Sequence, residues 1–253
     1  MQSTQNLKQK LRAGEACFGT ILALGSPAVA EIVAELGLDF VMIEGEHAAA
    51  DMGTVQAMLQ AMRGSETVPL MRVPYNDEVE IKVALDVGVK GIVVPAVVTR
   101  AEAEDAVRAC KYPPAGVRGV GRSRASLWGL RSSEYLRAAN DEILVFPIIE
   151  HHEAMENIDE IVGVTGFDAI WFGPADYGAS LGLLGQPKHP RVSEARQRML
   201  AACRLVGRPA GQSASSVTEA KDLLEEGFRM IMVQSDASLI YNGLRQDLAA
   251  LMG

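Results

Sequence analysis

Eight short apolar, β-rich runs, helical patterns between them and a length of 253 residues predict an α/β chain folded as a single (β/α)8 TIM barrel. Strictly alternating strands and helices imply a parallel sheet, and eight such units in about 250 residues imply that the sheet closes on itself. The first run, Phe18 to Leu24, follows the basic residues Lys8, Lys10 and Arg12, an arrangement that loosely imitates a secretory leader. Its apolar stretch is short and an amphipathic pattern begins directly afterwards, so it is assigned as a strand. A helix over Pro27 to Glu35 follows, then strand and helix alternate through Phe40 to Ile43, Thr54 to Met62, Val68 to Val73 and Glu78 to Val87. The fourth strand is read at Gly91 to Val98, with its helix at Ala101 to Cys110. The second half repeats the alternation: strands at Ile143 to Ile149, Ala169 to Phe172, Arg208 to Gln212 and Met230 to Val233. Its helices fall at Glu153 to Val162, Ser193 to Val206, Val217 to Glu226 and Ser238 to Leu251.

Gly37, Gly88, Gly166 and Gly227, in GLDF, GVKG, GFDA and GFRM, each close a helical pattern just before a strand. A helix often ends in a left-handed residue, which only a side chain without Cβ adopts cheaply. Each glycine therefore marks an αβ junction at the bottom of the barrel. Only Lys111 to Arg131, carrying YPPAGVRGVGRSR, breaks the alternation. Its prolines and glycines exclude a continuous helix, and it is read as a long functional or interface loop, leaving residues 1–253 as one expected domain.

With 48% hydrophobic and 22% charged residues, the chain can build a large core. Its 24 basic and 32 acidic residues leave a net charge of -8, and the isoelectric point is near 5.1. That balance argues against a nucleic-acid binder, which carries a clustered basic footprint, and an anionic substrate would need locally placed positive charge. Cys17, Cys110 and Cys203 are widely spaced with no CxxC pair. They fit neither a disulfide framework nor a thiolate zinc site, and free buried thiols are expected. No apolar run approaches the roughly 20 residues that span a bilayer, so a cytoplasmic protein without membrane contact is expected.

Active sites of such barrels lie at the C-terminal ends of the strands, and polar residues there are the candidates. The second strand ends in Glu44-Gly45-Glu46-His47, the third in Arg72, and the fifth in Glu150 followed by His151 and His152. The sixth ends in Gly173-Pro174-Ala175-Asp176 and the eighth in Gln234-Ser235-Asp236. Carboxylates without cysteine, and without an HExxH pair, suit a hard divalent ion such as Mg²⁺ or Mn²⁺, with Glu150 and Asp176 as ligands. The alternative for each is a helix N-cap. The amides of Ala175 and Asp176 in the GPAD turn could equally hold a phosphate or a substrate carboxylate. His47 follows two glutamates and is a candidate base, whereas His151 and His152 are assigned to a polar rim. Arg72 ends an apolar strand and needs an anion, either a substrate or Glu46. GVGRSR at 119–124 lacks the third glycine of a dinucleotide fingerprint and follows no strand, which argues against NAD.

These strand ends sit in longer blocks: GLDFVMIEGEHA at 37–48, RVPYND at 72–77, LDVGVKGIVVP at 85–95, YPPAGVRGVG at 112–121, IIEHHEAMENIDEI at 148–161 and GFDAIWFGPADYGASLG at 166–182. In these collinear blocks the sequence resembles the HpcH/HpaI family of class II, metal-dependent 2-oxo-acid aldolases, over nearly its whole length. The resemblance implies a barrel of the phosphoenolpyruvate/pyruvate type in a homo-oligomer, a hexamer arranged as a trimer of dimers that exchange C-terminal helices. It also implies cleavage of 4-hydroxy-2-oxo acids, in aromatic or sugar-acid catabolism, to pyruvate and an aldehyde. Carried onto matching positions, it makes Glu150 and Asp176 ligands of Mg²⁺, Mn²⁺ or Co²⁺ and places Gly173, Pro174, Ala175 and Asp176 on the substrate. Arg72 would neutralise the enolate oxygen, and His47 with Asp86 would move protons, although Asp86 falls late in a helical pattern.

The chemistry agrees with those implied roles. Breaking the C3–C4 bond leaves a pyruvate enolate, whose charge a cation and Arg72 stabilise more than they stabilise the neutral ketone. A Schiff-base lysine is not expected, because Lys82 lies in a helix and Lys90 begins a strand at the wrong end. Three features depart from the family pattern: Ile148 where glutamine is common, Glu44 in place of a shorter side chain, and a shortened loop after Gly121. They motivate the alternative of a related enolate-forming synthase or lyase, of citrate-synthase-like or citryl/malyl type. A non-catalytic barrel is the third class, disfavoured by the joint presence of Glu46, His47, Arg72, Glu150 and Asp176.

Overall fold

The computed structural model describes residues 2–252. Its strands form one closed parallel barrel in chain order. They are β1 (Cys17–Leu22), β2 (Phe40–Glu44), β3 (Val68–Arg72), β4 (Gly91–Val94), β5 (Leu144–Ile149), β6 (Ile170–Phe172), β7 (Ala210–Ala214) and β8 (Met230–Ser235). The ring closes where β1 pairs with β8, Phe18 opposite Ile231, with a register shift between Gly19 and Ile21. The helices are α1 (Gln2–Arg12), α2 (Pro27–Ala34), α3 (Met52–Ala61), α4 (Glu78–Val87), α5 (Arg100–Cys110), α6 (Ser132–Glu142), α7 (Ile158–Val162), α8 (Pro174–Ser180), α9 (Pro190–Leu205), α10 (Val217–Glu226) and α11 (Asp236–Met252).

Because strand side chains alternate between faces, each strand feeds two cores. Phe40, Met42, Leu70, Val93, Phe146, Ile148 and Trp171 fill the barrel interior. Val41, Ile43, Met71, Ile92, Val145 and Ile149 pack outward against the helices. Interior glycines make room for the larger neighbours: a Cβ on Gly19 would meet the Phe40 ring at 2.5 Å, and one on Gly211 the Trp171 ring at 2.8 Å. The bottom is plugged by α1, whose Leu7 and Leu11 lie one turn apart, are each 2% exposed and join the interior cluster. Burying them contributes about 1.5–3 kcal/mol each.

Side-chain caps fix where the outer helices start. Ser26, Asp51, Asp77 and Ser216 accept first-turn amides, and Thr99 forms a reciprocal capping box with Glu102. Such a cap contributes about 1 kcal/mol. The four junction glycines adopt left-handed φ of +71°, +111°, +107° and +114°, as the sequence predicts. Cys17, Cys110 and Cys203 are free and buried, and burial pushes each thiol up to about 12. Among the described residues no helix is long and apolar enough to cross a membrane.

Several boundaries differ from the sequence-based expectation. β4 stops at Val94 rather than Val98, because Pro95 has no N–H for the ladder and Ala96 turns to φ +52°. β7 runs later than expected, over Ala210–Ala214, and the stretch 153–162 divides into a 3₁₀ turn (His152–Met155) and α7. The irregular segment 111–131 is pinned by Arg118, which is 1% exposed. Its guanidinium lies over Tyr112 at 4.6 Å and Tyr135 at 5.6 Å and donates to Asp86 at 2.8 Å.

Candidate active site

The alternation that fills the barrel also aims the site. Met42 and Glu44, Leu70 and Arg72, Ile148 and Glu150, Trp171 and Gly173 are spaced two apart, so the second of each pair stands above an interior residue at the strand tip. A cavity of about 220 Å³ opens there, walled by Ile21, Met42, Arg72, Ile148, Glu150, Trp171, the 173–176 turn, Ser213 and Met232.

Arg72 is held from below and from the side. Glu44, 3% exposed, accepts from Arg72 Nε at 2.8 Å and Nη2 at 2.5 Å through Oε2. Its other oxygen accepts the amides of Glu46 at 2.7 Å and His47 at 3.0 Å. One carboxylate thus fixes the guanidinium and the GEH turn together. Burial opposes the Arg72 charge, but the hydrogen bond and charge of Glu44 hold its pKa above the ordinary arginine value. Glu46 Oε2 lies 3.2 Å from Arg72 Nη1 and 3.6 Å from His47 Nε2, yet it is buried without an aligned hydrogen-bond donor.

Glu150 stands at the end of β5, 9% exposed, and Oε1 accepts the Ala96 amide at 2.6 Å. The left-handed turn at Ala96 is what carries that amide to it. Opposite, a Cβ on Gly173 would lie 2.7 Å from Glu150 Cβ and 2.9 Å from Oε2, so only glycine admits the carboxylate. Burial pushes the Glu150 carboxyl up to about 7; the Ala96 amide opposes this, the Glu46 and Asp176 charges add to it, and Arg72 opposes it. Asp176 lies in the first turn of α8, behind Pro174. At that end the amides of Ala175 and Asp176 have no intrahelical acceptor.

Glu150 is buried while Asp176 is exposed at the rim of the same cavity, and the charges of Asp176 and of nearby Glu46 both act on Glu150. Among the described residues no group of three or more His, Cys, Asp and Glu is gathered as a ready metal cage. The donor set is nonetheless hard oxygen throughout, and the Asp176 charge strengthens the hold of Glu150 on positive charge. These residues fit a divalent ion that keeps positions open for a ligand.

His47 is not part of the cavity wall; its side chain is 65% exposed beside Glu46. The resemblance-based pairing of His47 with Asp86 is not formed within this chain. α4 leads away from the mouth, and Asp86 lies next to its last residue, where Arg118 binds it at 2.8 Å. His151 and His152 stack at 4.6 Å, and His151 caps the following turn, as a rim pair. Asp236 is structural: it is 4% exposed and accepts the amides of Ala23 and Leu24 at 2.9 and 3.1 Å. One wall residue and one brace were not assigned their roles from the sequence. Glu44 stood among the strand-end candidates and as a departure, without its role as the partner of Arg72, and Trp171, whose buried indole N–H has no acceptor, read as plain core. The period of two, counted back from Gly173, is the signal that finds Trp171, and the β2–β3 register, which sets Glu44 beside Arg72, finds the brace.

The family that this chain matches and its curated relatives make it an enzyme of the carbon–carbon lyase class. The chain belongs to the HpcH/HpaI aldolase/citrate lyase family, whose model matches residues 18–243. It is 41% identical over 248 residues to a 4-hydroxy-2-oxo-heptane-1,7-dioate aldolase of Salmonella arizonae, covering 97% of this chain and 94% of the relative. Among solved structures, an HpcH/HpaI aldolase/citrate lyase family protein from Burkholderia cenocepacia J2315 superposes with a TM-score of 0.94 at 36% identity, over 98% of this chain and 99% of that one. The citrate synthase SbnG superposes at 0.86 with 28% identity, over 97% and 96%.

Proposed function

We propose that this chain is a metal-dependent aldolase that cleaves a 4-hydroxy-2-oxo acid to pyruvate and an aldehyde. The observation that carries the reading is the convergence of Glu150, Asp176 and the Glu44-braced Arg72 on one small cavity. Glu150 and Asp176 would hold Mg²⁺, Mn²⁺ or Co²⁺. When bound, such an ion supplies Lewis-acid polarisation of a ketone. The first-turn amides of Ala175 and Asp176, with Gly173 and Pro174 shaping the turn, hold the substrate carboxylate. His47 accepts the proton of the C4 hydroxyl. The C4–O bond becomes a carbonyl as C3–C4 breaks, and the electron pair moves into the C2–C3 bond and onto the C2 oxygen. Arg72 donates to that oxygen as its charge develops, and Glu44 keeps the guanidinium from reorganising. Return of that proton from His47 to C3 then gives pyruvate and restores the base.

Pyruvate release from a 4-hydroxy-2-oxo acid, coupled to lactate dehydrogenase, is expected to fall at least about 100-fold after exhaustive chelation and to return with Mg²⁺, Mn²⁺ or Co²⁺. Equal turnover in excess EDTA overturns the reading. The second reading, condensation of the same enolate with a different acceptor, is favoured by the apolar Ile148 in the cavity wall and by the likeness to a citrate synthase. Product formation from oxaloacetate or acyl-CoA donors, with no aldol cleavage, selects it.

The chain is also proposed to work as a homo-oligomer in the cytoplasm. Leu239, Ile240, Tyr241, Leu244, Leu248, Leu251 and Met252 of α11 are all exposed, more contiguous apolar surface than a monomer normally leaves in water. Sedimentation at micromolar concentration is expected to show a species larger than the monomer; monomer alone defeats the assembly.

A further inference from the structure

At the end of the barrel opposite the mouth lies a second cavity, of about 420 Å³, bordered by Thr67, Pro69 and Gly88 near the strand starts. Arg63, Lys90, Arg124 and Arg131 line it, and its wall contains no aspartate or glutamate. That is anomalous in a chain carrying a net charge of -8. Among the described residues nine lysine and arginine side chains pair with carboxylates, yet none of these four does. The one recorded side-chain hydrogen bond among them runs from Arg124 to the Val87 carbonyl at 2.8 Å. Arg63 and Arg131 are exposed, whereas Lys90 and Arg124 are half-buried.

The cations also repel each other. Burial lowers the Lys90 pKa, Glu142 opposes this, and the Arg124 charge lowers it further; burial and then Arg63 do the same to Arg124. Apart from Glu142, which acts on Lys90 from outside the wall, these like charges lack the compensation that partly buried ions normally have. The wall carries one more unusual element. Leu127 and Trp128 are consecutive non-glycine residues at φ +51° and +52°, a conformation that costs about 1–3 kcal/mol per residue. That turn leaves the Trp128 indole 57% exposed at the cavity. A flat apolar face beside four unpaired cations is a binding surface for an anion with a planar part, and the volume falls within the range of about 300–1,000 Å³ that holds small ligands.

We propose that this cavity is a second ligand site, which binds a small organic anion of two or more negative charges through Arg63, Lys90, Arg124 and Arg131 and stacks its planar part on Trp128. The site is separated from the reaction by the barrel interior, so its occupation is independent of the aldolase reading.

The test is calorimetry on the metal-loaded protein at constant ionic strength, with inorganic phosphate, tricarballylate and adenosine 5′-monophosphate as probes and chloride as the reference. Saturable binding of at least one probe, absent with chloride, is expected. The double variant Arg63→Gln/Arg131→Gln, altered only at exposed positions, should weaken it about tenfold or more while leaving pyruvate release unchanged. Adenosine 5′-monophosphate should bind more tightly than phosphate, a preference that Trp128→Ala removes. Binding no stronger than chloride overturns the site. Binding that persists unchanged in the double variant assigns the anion to the mouth and also overturns it, and equal affinity for phosphate and the nucleotide overturns the stacking.

Discussion

Glu150→Gln is expected to lower kcat/KM at least about 10³-fold, roughly 4 kcal/mol of transition-state stabilisation. The amide keeps the size of the side chain and can still accept the Ala96 N–H, so packing against Gly173 survives and the loss reports charge. Metal titration by calorimetry should show binding weakened in parallel, which separates loss of the ion from a general disturbance. Stability should move the other way. In the native state the Glu150 carboxyl is pushed up to about 7, above its ordinary carboxylate value. The folded protein therefore binds more protons across that interval, and its stability declines as pH rises from the ordinary carboxylate range to about 7. At pH 8 the buried charge opposes folding, and the glutamine variant without metal should melt higher than the parent without metal. A lower Tm with retained turnover would remove Glu150 from the site.

Arg72→Lys should reduce kcat about 10²-fold with a smaller change in KM. Charge is retained, but the fork is lost: lysine cannot occupy Glu44 Oε2 with two donors and still reach an oxygen in the cavity. Because the charge still balances Glu44, the variant should fold, whereas Arg72→Ala would leave a buried carboxylate unpaired at about 3–5 kcal/mol. Circular dichroism and steady-state kinetics on Arg72→Lys decide the matter. Unchanged kcat would show that the enolate oxygen is met by another group.

Most of the scaffold was legible because period and punctuation agreed. Apolar runs marked the strands, and Gly37, Gly88, Gly166 and Gly227 marked the turns beneath them. What escaped has particular causes. α1 presents only Leu7 and Leu11 to the core, too few apolar positions for a helical pattern to emerge from a polar stretch. α6 fully buries only Ala139 and Glu142. The chain from Pro95 to Val98 looks like strand by composition, yet it bends to deliver one amide to Glu150. In the candidate site, Glu150, Asp176 and Arg72 were singled out from their places at strand ends and all three line one cavity, whereas the part played by Glu44 depends on which carboxylate Arg72 selects. The sequence offered Glu46 as that partner. The structure gives the hydrogen bonds to Glu44 and leaves Glu46 the looser ion pair. Asp86 was reached through resemblance, and here its contacts are with Arg118.

Ring closure through β1 and β8 sets a schedule for the nascent chain. Ribosomes deliver about 5–20 residues per second, so the interval between emergence of β1 and of its last neighbour is on the order of 10–40 s. Throughout it the first strand offers an unpaired edge and a half-covered apolar face. During synthesis that edge invites pairing with other chains, and shielding by a chaperone matters most before residue 235 leaves the exit tunnel.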